Sequence, residues 1–539
     1  MTLTASRPPL AEEEDAPHPH RDRRPGAPVW VPAGGVLVIA AGLFLRVWTR
    51  SDLWLDEALT VNIARLPVSR IPGALRHDGA PPLYYMVLHV WMSLFGTSDV
   101  AVRSLSGLAS GLTLPGVWLA AKRLGAPAAA WPAVILLAAN PFAVRYATEN
   151  RMYALVALEA VLGLLAVAAA LERPTPGRLA LVAVAAAAVL YTHYWGLYVV
   201  AATGLVTLVR ALRRAHAPES RRSAWRVTAA LAAGGVLWLP WLPVFAFQAQ
   251  HTGTPWATPA APSAFIEVIT QFSGGAADGP KFLALLLSVL LLLGLFGRRV
   301  DGRRVELAVP GHAVAWQLMA VFLVTPALAM VAGLVTQSAF IGRYTSVVLP
   351  LFIVLAALGV AALPGRRARV VVLTAVSLLG LGISFHLAHV KRTEAGVLAG
   401  YLRAAARPGD VVGYCPDQLA PDTNRLLGDA LTQLTFPRLT GPEFVDWVDY
   451  QQASDGASPA AFAQALADRA GPDHGVWLVT SSAYRTAART CTEVQSRLRT
   501  LRPGGHQVVA AKPGTYAENA ALVAYPGAGS LVVDLPSRP

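Results

Sequence analysis

From residue 33 to residue 390 the sequence is a succession of apolar runs separated by short breaks that carry arginine. A helix needs roughly 17–25 apolar residues to cross about 30 Å of hydrocarbon. Windows of that kind fall near 33–50, 101–121, 127–143, 152–171, 179–194, 196–212, 227–247, 281–298, 313–335, 345–364 and 370–390, which makes about eleven spans. Backbone groups in hydrocarbon must be satisfied within each segment, so such a chain folds as an all-α polytopic membrane protein. Composition agrees: 54% of the 539 residues are hydrophobic and only 14% charged, too few to cover a soluble body of this size.

The net charge of +13 would suit a nucleic-acid partner if it formed a basic face. It does not. Arginines instead gather between apolar runs, as at Arg213 and Arg214, Arg221 and Arg222, Arg298 and Arg299, and Arg366 and Arg367. That is the pattern of cytoplasmic loops in a multi-pass protein of the cell membrane, and it argues against nucleic acid. Two choices set the topology. The stretch 179–212 reads as a hairpin turning at Thr192-His193-Tyr194-Trp195-Gly196, because one overlong helix would carry Arg210 to Arg226 outward. Leu83 to Phe95 is too short to span and reads as an interfacial helix. The basic breaks near 122, 173–178, 210–226, 298–304 and 365–369 then face the cytoplasm. Breaks 51–100, 144–151, 248–280 and 336–343 face outward, with everything after about 391.

Three regions follow. Residues 1–30, rich in Pro, His, Glu and Arg, read as a disordered cytoplasmic tail, and the first apolar run as a retained anchor. Residues 31–390 form the transmembrane domain, whose outer loop 51–100 carries interfacial helices. Residues 391–539 alternate helix-like and strand-like stretches and read as an extracytoplasmic α/β domain with a partly parallel sheet. The two cysteines, Cys415 and Cys491, lie in that domain, where a disulfide is permitted and two free thiols are equally compatible.

The residues able to carry chemistry cluster in the outer breaks. Asp56 and Glu57 follow Leu53-Trp54-Leu55, just past the first span, and His77 and Asp78 precede Pro81-Pro82-Leu83-Tyr84-Tyr85. A carboxylate held at an apolar boundary is poorly solvated and more basic, which suits a general base; a solvated loop charge is the bland reading. Arg145, Glu149 and Tyr153 recur at intervals of four, so on a helix they share a face; the strip orients a sugar phosphate or is a local ion pair. Arg343, between Gly342 and Tyr344, is placed to fork onto a phosphate or to anchor the interface. His193 sits in the hairpin turn, and Glu159 lies inside a span, where it must face protein or be protonated. The loop from Gln248 to Pro280, with Pro255 and Trp256, is a mobile cover or a connector. There is no Walker lysine motif, no His-Glu-x-x-His site and no Cys-x-x-Cys pair.

Taken in order, Leu55-Asp56-Glu57-Ala58, the His77-to-Tyr85 run, the Glu149-to-Tyr153 run, Tyr191-Thr192-His193-Tyr194 and Gly342-Arg343-Tyr344 resemble the GT-C superfamily. The similarity is to glycosyltransferase family 39 and its bacterial relatives, the protein O-mannosyltransferase-like, undecaprenyl-phosphate-sugar-dependent enzymes. It covers about residues 33 to 364. The resemblance implies inverting transfer of a sugar, mannose-like by preference, from a polyprenyl-phosphate donor in the membrane to a hydroxyl acceptor: a glycan, lipid or protein. It implies Asp56 as catalytic base beside Glu57, with Asp78 a second acidic position. Arg343 and Arg151 would bind the donor phosphate, with Glu149, His77, Tyr153 and His193 around the sugar. No cofactor is implied with certainty, and a divalent metal at Asp56, Glu57 and Asp78 is left open. The appended C-terminal domain departs from the eukaryotic O-mannosyltransferases and puts a protein acceptor in doubt. A transporter or flippase of lipid-linked saccharide is the competing reading, and a membrane scaffold a third.

Overall fold

The computed structural model describes residues 30–527 apart from 216, 255, 256, 258, 259, 301–303 and 310–312. The tail expected at 1–30, but for its last residue, and Pro255 and Trp256 of the proposed cover therefore lie outside the described residues.

All eleven apolar windows fall on helices. Among the described residues, eight helices are long and apolar enough to cross a membrane: Asp99–Arg123, Tyr153–Glu172, Trp195–Leu212, Pro218–His251, Asp278–Phe296, Ala313–Thr336, Gly342–Ala362 and Gly365–His389. A ninth arises if Pro127–Ala138 and Pro141–Ala147 count as one span bent by 57°. The bend has a local cause. Asn140 leaves the helical region, its side chain accepts from Ala143 N at 2.9 Å, and Pro141 starts the next helix without an N–H to satisfy. The helices Ala33–Leu45 and Pro176–Thr192 are apolar but shorter. The chain is thus a multi-pass membrane protein.

The expected break in 179–212 is present. Helix Pro176–Thr192 stops where His193 adopts an extended conformation (φ −155°, ψ 140°), and a new helix starts at Trp195. The break 51–100 holds three α-helices, Leu55–Arg65, Ile71–Asp78 and Leu83–Phe95. The last has 13 residues, too few to span.

Helix Gly342–Ala362 runs through the middle of the bundle, with 83% of its apolar window buried. It lies backbone to backbone on Asp278–Phe296. A methyl at Gly359 would meet the Leu290 carbonyl and one at Gly294 the Leu355 carbonyl, so small residues set this approach.

Beyond the bundle, a hairpin pairs β1 (Gly297–Val300) with β2 (Arg304–Leu307). The C-terminal sheet contains β3 (Val411–Cys415), β4 (Thr432–Thr435), β5 (Val476–Thr480), β6 (His506–Val509) and β7 (Ala521–Tyr525), in the order β4-β3-β5-β7-β6. Its first three strands are parallel and the remaining pairings antiparallel, a partly parallel sheet as expected. Helix Pro459–Ala470, capped by Ser458, and helix Ala488–Leu501 cover one face. Cys415 on β3 and Cys491 on that second helix form a disulfide, which settles the choice left open by sequence.

Candidate active site

The breaks at 51–60, 78–85, 145–153, 192–195 and 340–344 converge at one end of the bundle, and the segments 390–395 and 518–520 join them from the C-terminal side. Helix Leu55–Arg65 begins there, and its first turn holds both acidic residues. Successive helical residues point about 100° apart, so the neighbours diverge.

Asp56 faces a basic and aromatic cluster. Its Oδ2 lies 3.6 Å from an Arg343 guanidinium nitrogen and 4.0 Å from Arg151 Nε. Arg151 is held by Thr60 Oγ1 at 2.7 Å and by the Tyr85 hydroxyl at 3.2 Å. Tyr85 in turn donates to Asp78 Oδ2 at 2.7 Å. Burial pushes the Asp78 carboxyl up, against the pull of Arg151 and of the Tyr85 hydrogen bond. The Arg343 guanidinium packs near the Trp54 ring at 5.6 Å and the Tyr344 ring at 5.8 Å. The Tyr153, His193 and Tyr344 rings complete this wall, with His193 5.0 Å from Tyr344 and 5.9 Å from Tyr153.

His193 Nδ1 accepts from Trp195 N at 3.1 Å, which leaves the ring proton on Nε2. Burial, then the charges of Arg151 and Arg343, push this imidazole down to about 3. It is a neutral hydrogen-bond donor at physiological pH.

Glu57 turns into the protein. Fully buried, it accepts from Arg103 Nε at 2.7 Å, from a second Arg103 nitrogen at 2.6 Å and from Asn150 N at 2.7 Å. Arg392, just beyond the last helix of the bundle, lies 3.4 Å away. Burial alone would raise this carboxyl, but Arg103 and Arg392 outweigh it and hold it at about 2. The raised basicity expected of the acidic pair is therefore absent at Glu57, because two guanidiniums compensate for the lost water.

The other expected residues divide similarly. Glu149 pairs with Arg145 at 2.7 Å and Arg392 at 3.6 Å, the local ion pair weighed from the sequence. The helix ends at Ala147 and restarts at Tyr153, so Glu149 and Tyr153 share no helical face. His77 is exposed and meets Asp446 of the C-terminal segment at 2.8 Å. Asp56, Asp78, Arg151, Tyr153, His193 and Arg343 thus come together, while Glu57, Glu149 and His77 are engaged elsewhere. Among the described residues no three His, Cys, Asp or Glu side chains are grouped to hold a metal. Glu57 is committed to its arginines, and Asp78 accepts from Tyr85.

Beneath the aromatic wall lies an apolar cavity of about 140 Å³ between the helices that follow Tyr153, His193 and Tyr344. Gly163, Leu164, Val167, Val199, Val200 and Leu351 line it, with Glu159 near its upper end. Glu159 Oε1 accepts from Thr192 at 2.8 Å, so this intramembrane carboxyl faces protein as expected.

Several participants escaped the sequence reading. Trp54, Tyr85 and Tyr344 lie inside the motifs already noted but had been given no role. Arg103 had one signal, a charge inside an apolar run. Arg392 and Glu518 had none, for nothing local marks a partner hundreds of residues away.

The fold is one that solved structures share, and part of the chain matches one family model. Residues 79–241 match the family model described as dolichyl-phosphate-mannose-protein mannosyltransferase. Among solved structures, ArnT from Cupriavidus metallidurans bound to undecaprenyl phosphate is similar with a TM-score of 0.59 at 14% identity, over 95% of this chain and 100% of that one. The same protein in the apo state gives 0.60 at 13% identity, over 93% and 98%. Arabinofuranosyltransferase AftD from Mycobacteria gives 0.52 at 16% identity, over 92% of this chain and 40% of that one. No curated protein sequence matches.

Proposed function

We propose that this protein transfers a sugar from a polyprenyl-phosphate carrier to a hydroxyl acceptor at the outer membrane face, with Asp56 as general base. The observation that carries the reading is one carboxylate facing two guanidiniums, at 3.6 and 4.0 Å, above an apolar cavity. A phosphate-linked sugar brings its own leaving group, so the protein has three tasks. It must hold the phosphate, exclude water and take a proton from the acceptor.

Arg343 and Arg151 hold the donor phosphate, which takes the place of Asp56 as their partner. Asp56, released from them, accepts the proton of the acceptor hydroxyl as its oxygen attacks the anomeric carbon. The bond to phosphate breaks on the opposite side, so the anomeric configuration inverts. Neutral His193 and the Tyr85–Asp78 pair offer hydrogen bonds beside the sugar, and Tyr153 and Tyr344 offer flat faces. The cavity suits an isoprenoid chain, whose apolar length needs no polar partner. A mannose-like sugar accords with the family description, and a lipid phosphate with the undecaprenyl phosphate bound to ArnT.

The bundle uses about eleven spans, once the shorter helices Ala33–Leu45 and Pro176–Thr192 cross with the rest. The N-terminus lies in the cytoplasm, residues 31–390 form the catalytic domain, and 391–539 stand outside the membrane. The arginines near 173 and 210–214 support this, for they end the helices whose other ends bear Tyr153 and Trp195.

Asp56→Asn tests the reading in membranes supplied with a polyprenyl-phosphate mannose and a hydroxyl acceptor. Loss of a general base should slow transfer by roughly 10²–10⁴-fold without loss of folded protein. Full transfer by that variant would remove the base. Movement of lipid-linked sugar without new glycosidic bonds would favour a flippase.

A further inference from the structure

The helix that carries Asp56 is not capped from within its own segment. Trp54, which precedes it, offers no side-chain acceptor. The first helical N–H, that of Leu55, is accepted at 3.1 Å by Glu518 Oε2, 463 residues further along the chain.

We propose that Glu518 is a positioning residue for transfer: from the C-terminal domain it fixes the first turn of helix Leu55–Arg65 and so aims the Asp56 carboxylate. The inference rests on the reading of Asp56 as base.

Glu518 is held on every side. Its backbone bridges residues 392–394, with Glu518 N donating to Arg392 O at 2.9 Å and Glu394 N donating to Glu518 O at 3.2 Å. Its other carboxyl oxygen receives the Tyr484 hydroxyl at 3.3 Å. The neighbouring Asp422 carboxyl, whose charge adds to burial in pushing the Glu518 carboxyl up, is itself fixed by Thr393 at 2.6 Å and by Thr423 N at 2.8 Å. Glu518 is 8% and Asp422 4% exposed. Burial pushes both carboxyls up, and with their hydrogen bonds the two side chains form a bracket. The bracket reaches the helix one residue before Asp56. A misplacement of about 1 Å at a reacting group is enough to lower a rate about 10²-fold, so a turn that loses its clamp should lose turnover before it loses donor.

The C-terminal domain has other attachments, which should keep it docked when this one is cut. Arg425 meets Asp99 at 2.8 Å, Trp447 N donates to His77 O at 3.0 Å, and Arg392 reaches Thr148 Oγ1 at 2.7 Å. Glu518→Ala should therefore lower kcat about ten- to a hundredfold with KM for the donor unchanged within about twofold. Glu518→Gln should restore at least half of kcat, because its amide oxygen can accept from Leu55 and its nitrogen can donate to Asp422. Glu518→Asp, one methylene short, should fail as Ala does, and it carries the test if the Ala variant does not fold.

The experiment measures kcat and KM of the purified full-length variants with a polyprenyl-phosphate mannose, beside Asp56→Asn. Wild-type kcat in Glu518→Ala or Glu518→Asp, or equal losses in Gln and Ala, would overturn the positioning role, while loss of transfer in Asp56→Asn leaves the base intact. Full activity in Asp56→Asn would instead remove the base itself.

Discussion

Asp56 and Glu57 are adjacent, chemically alike, and should answer opposite questions when their charge is removed. Glu57→Gln keeps the shape but turns an acceptor into a donor, so its amide nitrogen would face N–H groups of Arg103 or Asn150. It would also take from buried Arg103 its carboxylate and leave buried Arg392 with Glu149 alone, at 3.6 Å. Removing one partner of a buried ion pair typically costs 3–5 kcal/mol. The depressed carboxyl of Glu57 points the same way. A carboxyl drawn from 4.5 to about 2 on folding represents about 3 kcal/mol at neutral pH, at about 1.4 kcal/mol per tenfold change. Because the folded value is the lower one, this stability is present above about pH 4.5 and lost as pH falls towards 2. We expect detergent-purified Glu57→Gln to melt well below wild type by tryptophan fluorescence, with a poor monodisperse yield. Asp56→Asn, whose carboxyl is partly exposed, should melt within about 1 kcal/mol of wild type. If Glu57→Gln melts with wild type yet fails to transfer sugar, Glu57 is a chemical participant and the structural argument is wrong.

Two further outcomes can be measured. Arg343→Lys keeps the charge but loses the planar fork, and should raise KM for the donor about tenfold or more in a transfer assay, with the fold unchanged. Asp417 is buried, and burial, opposed by the Tyr450 hydrogen bond, pushes it up to about 7. The folded value exceeds the unfolded one, so its contribution is complete below about pH 4 and lost as pH rises to about 7. The C-terminal domain should be more stable at pH 5 than at pH 8, by at most about 3 kcal/mol from this group, since only the two pH units between 5 and 7 count, and Asp417→Asn should flatten that slope.

What the sequence made legible was local. Apolar runs announce themselves by length, and every window from 33–50 to 370–390 became a helix. The break at His193 was visible because arginines at the far end had to stay together, and Ser458 announced a helix by its capping chemistry. The cluster of Asp56, Arg151, His193 and Arg343 was legible as motifs in order, since each sits just outside an apolar run. The opposite fates of Asp56 and Glu57 were not, because the 100° between neighbours matters only once the partners are known. Those partners, Arg103 and Arg392, stand 46 and 335 residues away. The same distance hid the Cys415–Cys491 pairing, for two cysteines in one compartment are compatible with either state.

The bracket on helix Leu55–Arg65 also has a bearing on biosynthesis. The helix leaves the ribosome when about a tenth of the chain exists, but Glu518 is joined only near the end of the 539 residues. Until then the nascent protein holds its acidic residue on an unclamped turn. On the reading proposed above, a chain interrupted before that residue would carry the described helices of the bundle and lack the clamp on its acidic turn.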